Sequence, residues 1–137
     1  MVSRGSVIAL AAIVTLVLVP AHAAEPTYVT HDCYSVKQEP AKILFACGDG
    51  NYYVNHLHWD AWGVRRAEGT GVFHFNDCEP DCARGQFHKR SGTLVLRYRK
   101  RCRDIEKNVF RQARITYERA WEGDRKTRFG LFCPLSR

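Results

Sequence analysis

Beyond residue 23 the chain lacks any stretch with apolar residues at i, i+3, i+4 and i+7 sustained over about three turns. That absence excludes a helical bundle and predicts a fold with almost no helix. Long apolar runs are missing as well. The longest, Val7 to Val19, covers thirteen residues, short of the roughly 20 that cross a bilayer. There is no internal repeat, low-complexity tract or interdomain linker, so one domain is expected. No twin arginine stands in the first 23 residues, and no cysteine that could carry a lipid stands at Ala21-His22-Ala23. Acidic residues become scarce late in the chain: residues 84–137 hold five against sixteen Lys and Arg, whereas residues 24–83 hold nine against four. This partition predicts a dipolar surface that steers anionic partners to the basic side.

The first 23 residues read as an export leader. Arg4 supplies the positive start, Val7 to Val19 the apolar segment, Pro20 its end and Ala21-His22-Ala23 a small-x-small cleavage site. An uncleaved anchor is the competing reading. Residues 24–137 then form a single secreted domain, with no transmembrane segment after cleavage, expected to be a monomer outside the cell or in its envelope. All six cysteines, Cys33, Cys47, Cys78, Cys82, Cys102 and Cys133, lie in this part. In a small exported chain an even count reads as structural disulfides, each worth about 2–4 kcal/mol. Cys78 with Cys82 is the favoured pair, because the Pro80-Asp81 turn brings residues four apart together. Zinc at the same spacing is the alternative, but no second pair of ligands matches it.

Residues 24–40 show little periodicity and read as an extended arm pinned by Cys33. Strands follow at Ala41–Cys47, Tyr52–Trp59, Ala67–Asn76, Thr93–Cys102, Asn108–Glu118 and Arg128–Cys133, separated by turns around Gly48-Asp49-Gly50-Asn51 and Glu122-Gly123-Asp124. In the second strand neither face is wholly apolar: Tyr53, Asn55, Leu57 and Trp59 oppose Tyr52, Val54, His56 and His58. The expected class is all-β, a small antiparallel sandwich or barrel of six to seven strands stabilised by disulfides. Its organising stretch runs from Trp59 to Phe87. Trp59 and Trp62 offer large apolar area, and Gly63, Gly69 and Gly71 supply backbone that turns sharply or approaches a ring closely.

Within that region Ala46-Cys47-Gly48-Asp49-Gly50-Asn51, Leu57-x-Trp59-x-x-Trp62-Gly63, Ala67-x-Gly69-x-Gly71 and Asn76-x-Cys78-x-Pro80-x-Cys82-Ala83-x-Gly85 occur in order. Over residues 41–90 the chain resembles a group of small secreted actinobacterial proteins without an established activity. The resemblance implies export and a compact fold, and no catalytic residue. The basic segment from Arg97 onward lies outside the pattern.

Arg97, Arg99, Arg101 and Arg103 are the candidate ligand-binding residues. The first three are in phase on a strand, spaced about 6.5–7 Å apart, with Tyr98 on the opposite, core side. They would grip phosphates, sulfates or carboxylates with forked hydrogen bonds. Asp104 and Glu106 could pair with them locally, and a solvated edge strand is the plainer reading. The implied function is a secreted binding or structural protein whose basic C-terminal surface meets an anionic envelope polymer, a glycan or lipid head groups, with no specific nucleic acid and no cofactor. Three alternatives stand beside it. His56, His58 and His74, with Asp60 nearby, would converge on zinc or copper with a position left for water, making a metal-dependent hydrolase, if the second and third strands pair in a suitable register. His56, His74 and Lys89 would serve acid-base cleavage of a phosphodiester. A module presenting Trp59 and Trp62 to a protein partner is the third.

Overall fold

The computed structural model describes residues 23–121 and 123–136. Apart from Ala23, the segment read as an export leader lies outside them. Eight strands follow in chain order: β1 Thr27–Thr30, β2 Val36–Lys37, β3 Ile43–Leu44, β4 Tyr52–Trp62, β5 Arg66–Asn76, β6 Phe87–Cys102, β7 Lys107–Trp121 and β8 Asp124–Gly130. A 3₁₀ turn at Arg103–Ile105 is the only helical element among the described residues. The strands form one sheet ordered β2-β1-β7-β6-β5-β4-β3, with β8 also on β7, curled into a half-barrel. The all-β, disulfide-stabilised class is therefore the one observed. All pairings are antiparallel except β1 with β7, which is parallel. The arm read over residues 24–40 thus contributes two strands. Thr27 and Val29 are buried there, tertiary contacts that a short stretch without alternation does not announce.

The concave face holds the core, centred on Phe73, Leu94, Leu96, Phe110 and Ile115, each at most 1% exposed. Burying such side chains stabilises by about 1.5–3 kcal/mol each. Tyr52 on β4 and Tyr117 on β7 hydrogen-bond through their hydroxyls, across two intervening strands, so the curl brings the two halves of the sheet together. Burial raises both phenols above their ordinary pKa. Trp59 and Trp62 pack edge to face against each other and partly bury against this core. Their indole N–H groups donate to Pro40 O and Thr27 O at 3.0 and 2.9 Å. They anchor the fold against this core while each stays partly exposed.

The mixed faces of β4 have a physical cause. Register slips by one residue between Asn55 and His58, where His56 takes φ 50°, and residues 56 and 57 together oppose Gly71. This β-bulge shifts the alternation, so that Val54, Leu57 and Trp59 all face the core. A second slip follows between Trp59 and Ala61. Glycine is required opposite both. A Cβ at Gly69 would sit 2.4 Å from His58 O, and one at Gly71 would sit 3.0 Å from Asn55 O.

The disulfides are Cys33–Cys47, Cys78–Cys82 and Cys102–Cys133. The favoured pair is present, and its bridge removes the thiolates that the zinc alternative needs. Cys102–Cys133 ties the end of β6 to the C-terminal segment, where Leu131 is buried and Phe132 O accepts from Thr30 Oγ1 at 2.7 Å. Among the described residues no helix is long and apolar enough to cross a membrane.

Candidate anion-binding face

Ala113, Ile115 and Tyr117 on β7 are buried, so Arg114 and Thr116 between them project from the outer, convex face. Antiparallel pairing extends each position into a row across the sheet. One row reads Glu68, Val95, Arg114, Arg128; the next on one side reads Thr70, Thr93, Thr116, Lys126; the next on the other reads Arg66, Arg97, Gln112. Directly paired residues share a face with Cβ atoms about 4.5–5.5 Å apart. Arg66, Val95, Arg114, Thr116, Lys126 and Arg128 line a depression of about 540 Å³ on this face. Arg66 is bound to Glu68. Arg114, Lys126 and Arg128 make no ion pair with any described residue.

The arginines singled out from sequence are distributed differently from the expected single row. Leu96 faces the core opposite Ala113, and Arg99 lies opposite Phe110, also a core residue. Tyr98 between them takes φ 55° and inverts the alternation. Tyr98 is 61% exposed, with the Arg97 guanidinium 5.3 Å from its ring centroid, which corrects the core assignment. Arg97 stays on the outer face beside Arg66. Arg99 Nη1 instead donates to Glu25 O at 3.4 Å, and Arg101 Nη1 pairs with Glu25 Oε2 at 3.0 Å. Asn108 Nδ2 donates to the same oxygen at 2.9 Å. Glu25, supplied by the arm, thus plays the part expected of Asp104 and Glu106. Arg103 begins the 3₁₀ turn and is exposed. Arg114, Lys126 and Arg128 escaped sequence reading. Alternation with Ala113, Ile115 and Phe129 marks their face, but only the register brings them together.

The three histidines do not converge. His58 pairs with Thr70 and His74 with Tyr53, four positions apart along β5, or roughly 13 Å at the strand rise. Among the described residues no group of three or more His, Cys, Asp or Glu is placed to hold a metal, which corrects the metal alternative. The register is the reason: it leaves His56 beside His74 through Asn55 and carries His58 on to Thr70. His56 Nδ1 and His74 Nε2 both contact Asn55 Oδ1, at 3.0 and 2.9 Å, and His74 pairs directly with Lys89. His56, His74 and Lys89 are therefore neighbours. His74, however, is only 6% exposed beneath Tyr53, ring centroids 4.5 Å apart. A general acid or base must reach the reacting group, and this imidazole is covered.

Burial, then the charges of Lys89, His56 and Lys42, lower the His74 pKa below its ordinary value. The unfolded chain therefore takes up this proton first as pH falls. Stability is fully present above about pH 6.5 and is lost from there down to the folded pKa. Thermal unfolding of the parent should show Tm falling between pH 7.5 and 5, with a shallower fall in His74→Gln. Equal slopes would show that His74 does not carry the effect. A carboxylate acts in a separate, lower window. Asp77, accepting from His88 Nε2 at 2.8 Å and from the Gln86 and Glu79 amides, has its pKa lowered to about 2.

Comparison with protein families, with curated proteins and with solved structures finds no match to this chain.

Proposed function

We propose that this is an exported binding protein that holds an anionic extracellular glycan or envelope polymer on the convex face of its sheet. The observation that carries the reading is the depression bordered by Arg114, Lys126 and Arg128, none of them neutralised by a described residue. β6, β7 and β8 are contiguous, so the excess positive charge of residues 84–137 is gathered on one part of the sheet. Such a field raises the local concentration of anions and speeds their approach. The export leader, the three disulfides and the resemblance of residues 41–90 to secreted proteins support an extracellular setting.

A polymer fits better than lipid head groups. Binding in a membrane interface combines charge with inserted apolar side chains, and among the described residues the exposed large apolar ones, Tyr34, Phe87, Tyr98 and Leu135, do not line the depression. On a sulfated polysaccharide matrix, an Arg114→Ser, Arg128→Ser variant should elute at clearly lower salt than the parent. Each contact removed lowers the dependence of log affinity on log salt by about one. Arg99→Ser, Arg101→Ser should shift elution less, because those cations already meet Glu25. Elution of the first variant with the parent would overturn the assignment.

A further inference from the structure

We infer that the depression on β7 and β8 is a site for one compact tetrahedral oxyanion ester, phosphate or sulfate, carried on a hydroxylated body such as a sugar. This rests on the anionic-glycan reading and narrows it to one group at one place. Arg114 and Arg128 are directly paired, and Lys126 lies two residues along β8, opposite Thr116. At the spacings of an antiparallel sheet, about 5 Å across and 7 Å along, two guanidiniums and an ammonium reach a common point. A carboxylate has two oxygens in one plane, both of which one guanidinium fork engages, so a second fork and the ammonium must share them. A phosphate or sulfate monoester has three terminal oxygens, enough to accept from both forks and from the lysine.

The remaining lining indicates what carries the ester. A volume of about 540 Å³ exceeds that of a bare ion and falls in the range of small-ligand sites, about 300–1,000 Å³. Val95 supplies an apolar floor and Thr116 a hydroxyl. Thr127 also lines the depression, and its hydroxyl group is a further partner for a sugar hydroxyl. An extended cationic strand would give no such local preference, because it would read charge density alone.

The test is titration calorimetry of the folded, disulfide-bonded protein at low salt with glucose 6-phosphate, glucose 6-sulfate and glucuronate, and with vesicles containing phosphatidic acid. At least one sugar ester should bind about tenfold or more tighter than glucuronate, and Arg114→Gln and Arg128→Gln should each weaken it by about tenfold. Arg97→Gln, outside the depression, should leave it within about twofold. Both tested arginines are exposed, and an unchanged unfolding transition would confirm folding. Equal affinity for glucuronate, or unchanged affinity in the Arg114 and Arg128 variants, overturns the inference. So does binding to the vesicles without binding to either sugar ester. If the esters fail while the Arg114/Arg128 variant still elutes early from the sulfated matrix, the compact site is wrong and the polymer reading stands. Loss of both results removes both.

Discussion

Replacing Gly69 with alanine should destabilise the protein by about 3 kcal/mol or more, the upper part of the overpacking range. The added methyl would meet His58 O at 2.4 Å, and Trp59 Cε3 and Cα at 3.0 and 3.1 Å. Two of these three atoms are backbone in the paired strand, which a rotamer change cannot move. Relief would require opening the β4–β5 ladder beside its second bulge, where Trp59 enters the core. Gly130 provides the comparison within the same sheet. A Cβ there meets nothing within 4 Å, so Gly130→Ala should be neutral or stabilise by up to about 1 kcal/mol through the unfolded chain. Chemical denaturation of both variants decides the matter. Equal midpoints would mean that the backbone contact at Gly69 is not the constraint described here.

Removing Cys102–Cys133 as a double serine variant should cost about 3–4 kcal/mol, from the loop-closure entropy of a bridge spanning 31 positions. The same bridge holds the segment in which Leu131 is buried and Leu135 N donates to Cys33 O at 2.8 Å, so exposure of that segment adds to the loss. Cys78–Cys82 closes only four positions, and its removal should cost about 2 kcal/mol on the same scale. Asp77, Asp81 and Asn76 also brace that loop through hydrogen bonds to its own backbone. If the short bridge proved the more costly one to lose, local bracing and not loop closure would govern these disulfides.

These effects show where reading residues one strand at a time succeeds. On β5, Phe73 and Phe75 are buried as their alternation indicates. On β7, Ala113, Ile115 and Tyr117 are buried in phase. β6 begins at Phe87, well before Thr93. Its first residues, His88 and Arg90, lie opposite Phe75 and Phe73, and a cationic run gave no alternation from which to extend the strand. The second strand carried a trace of its bulge in two faces that were both mixed. Tyr98 carried none, because an ordinary aromatic residue between arginines gives no sign that it will adopt a positive φ.

The residues alone determined the all-β class, the sulfur chemistry, the favoured Cys78–Cys82 bridge and the uneven division of charge, since each follows from local alternation, composition or short spacing. Tertiary structure decided which cations stand together. A side chain's face is set by the count of residues from its neighbours, and one left-handed residue inverts that count; its neutralising partner can lie anywhere in the chain. Thus Tyr98 parts Arg97 from Arg99, Glu25 takes Arg101 from a distance of 76 positions, and the pairing of β7 with β8 places Arg114 beside Arg128.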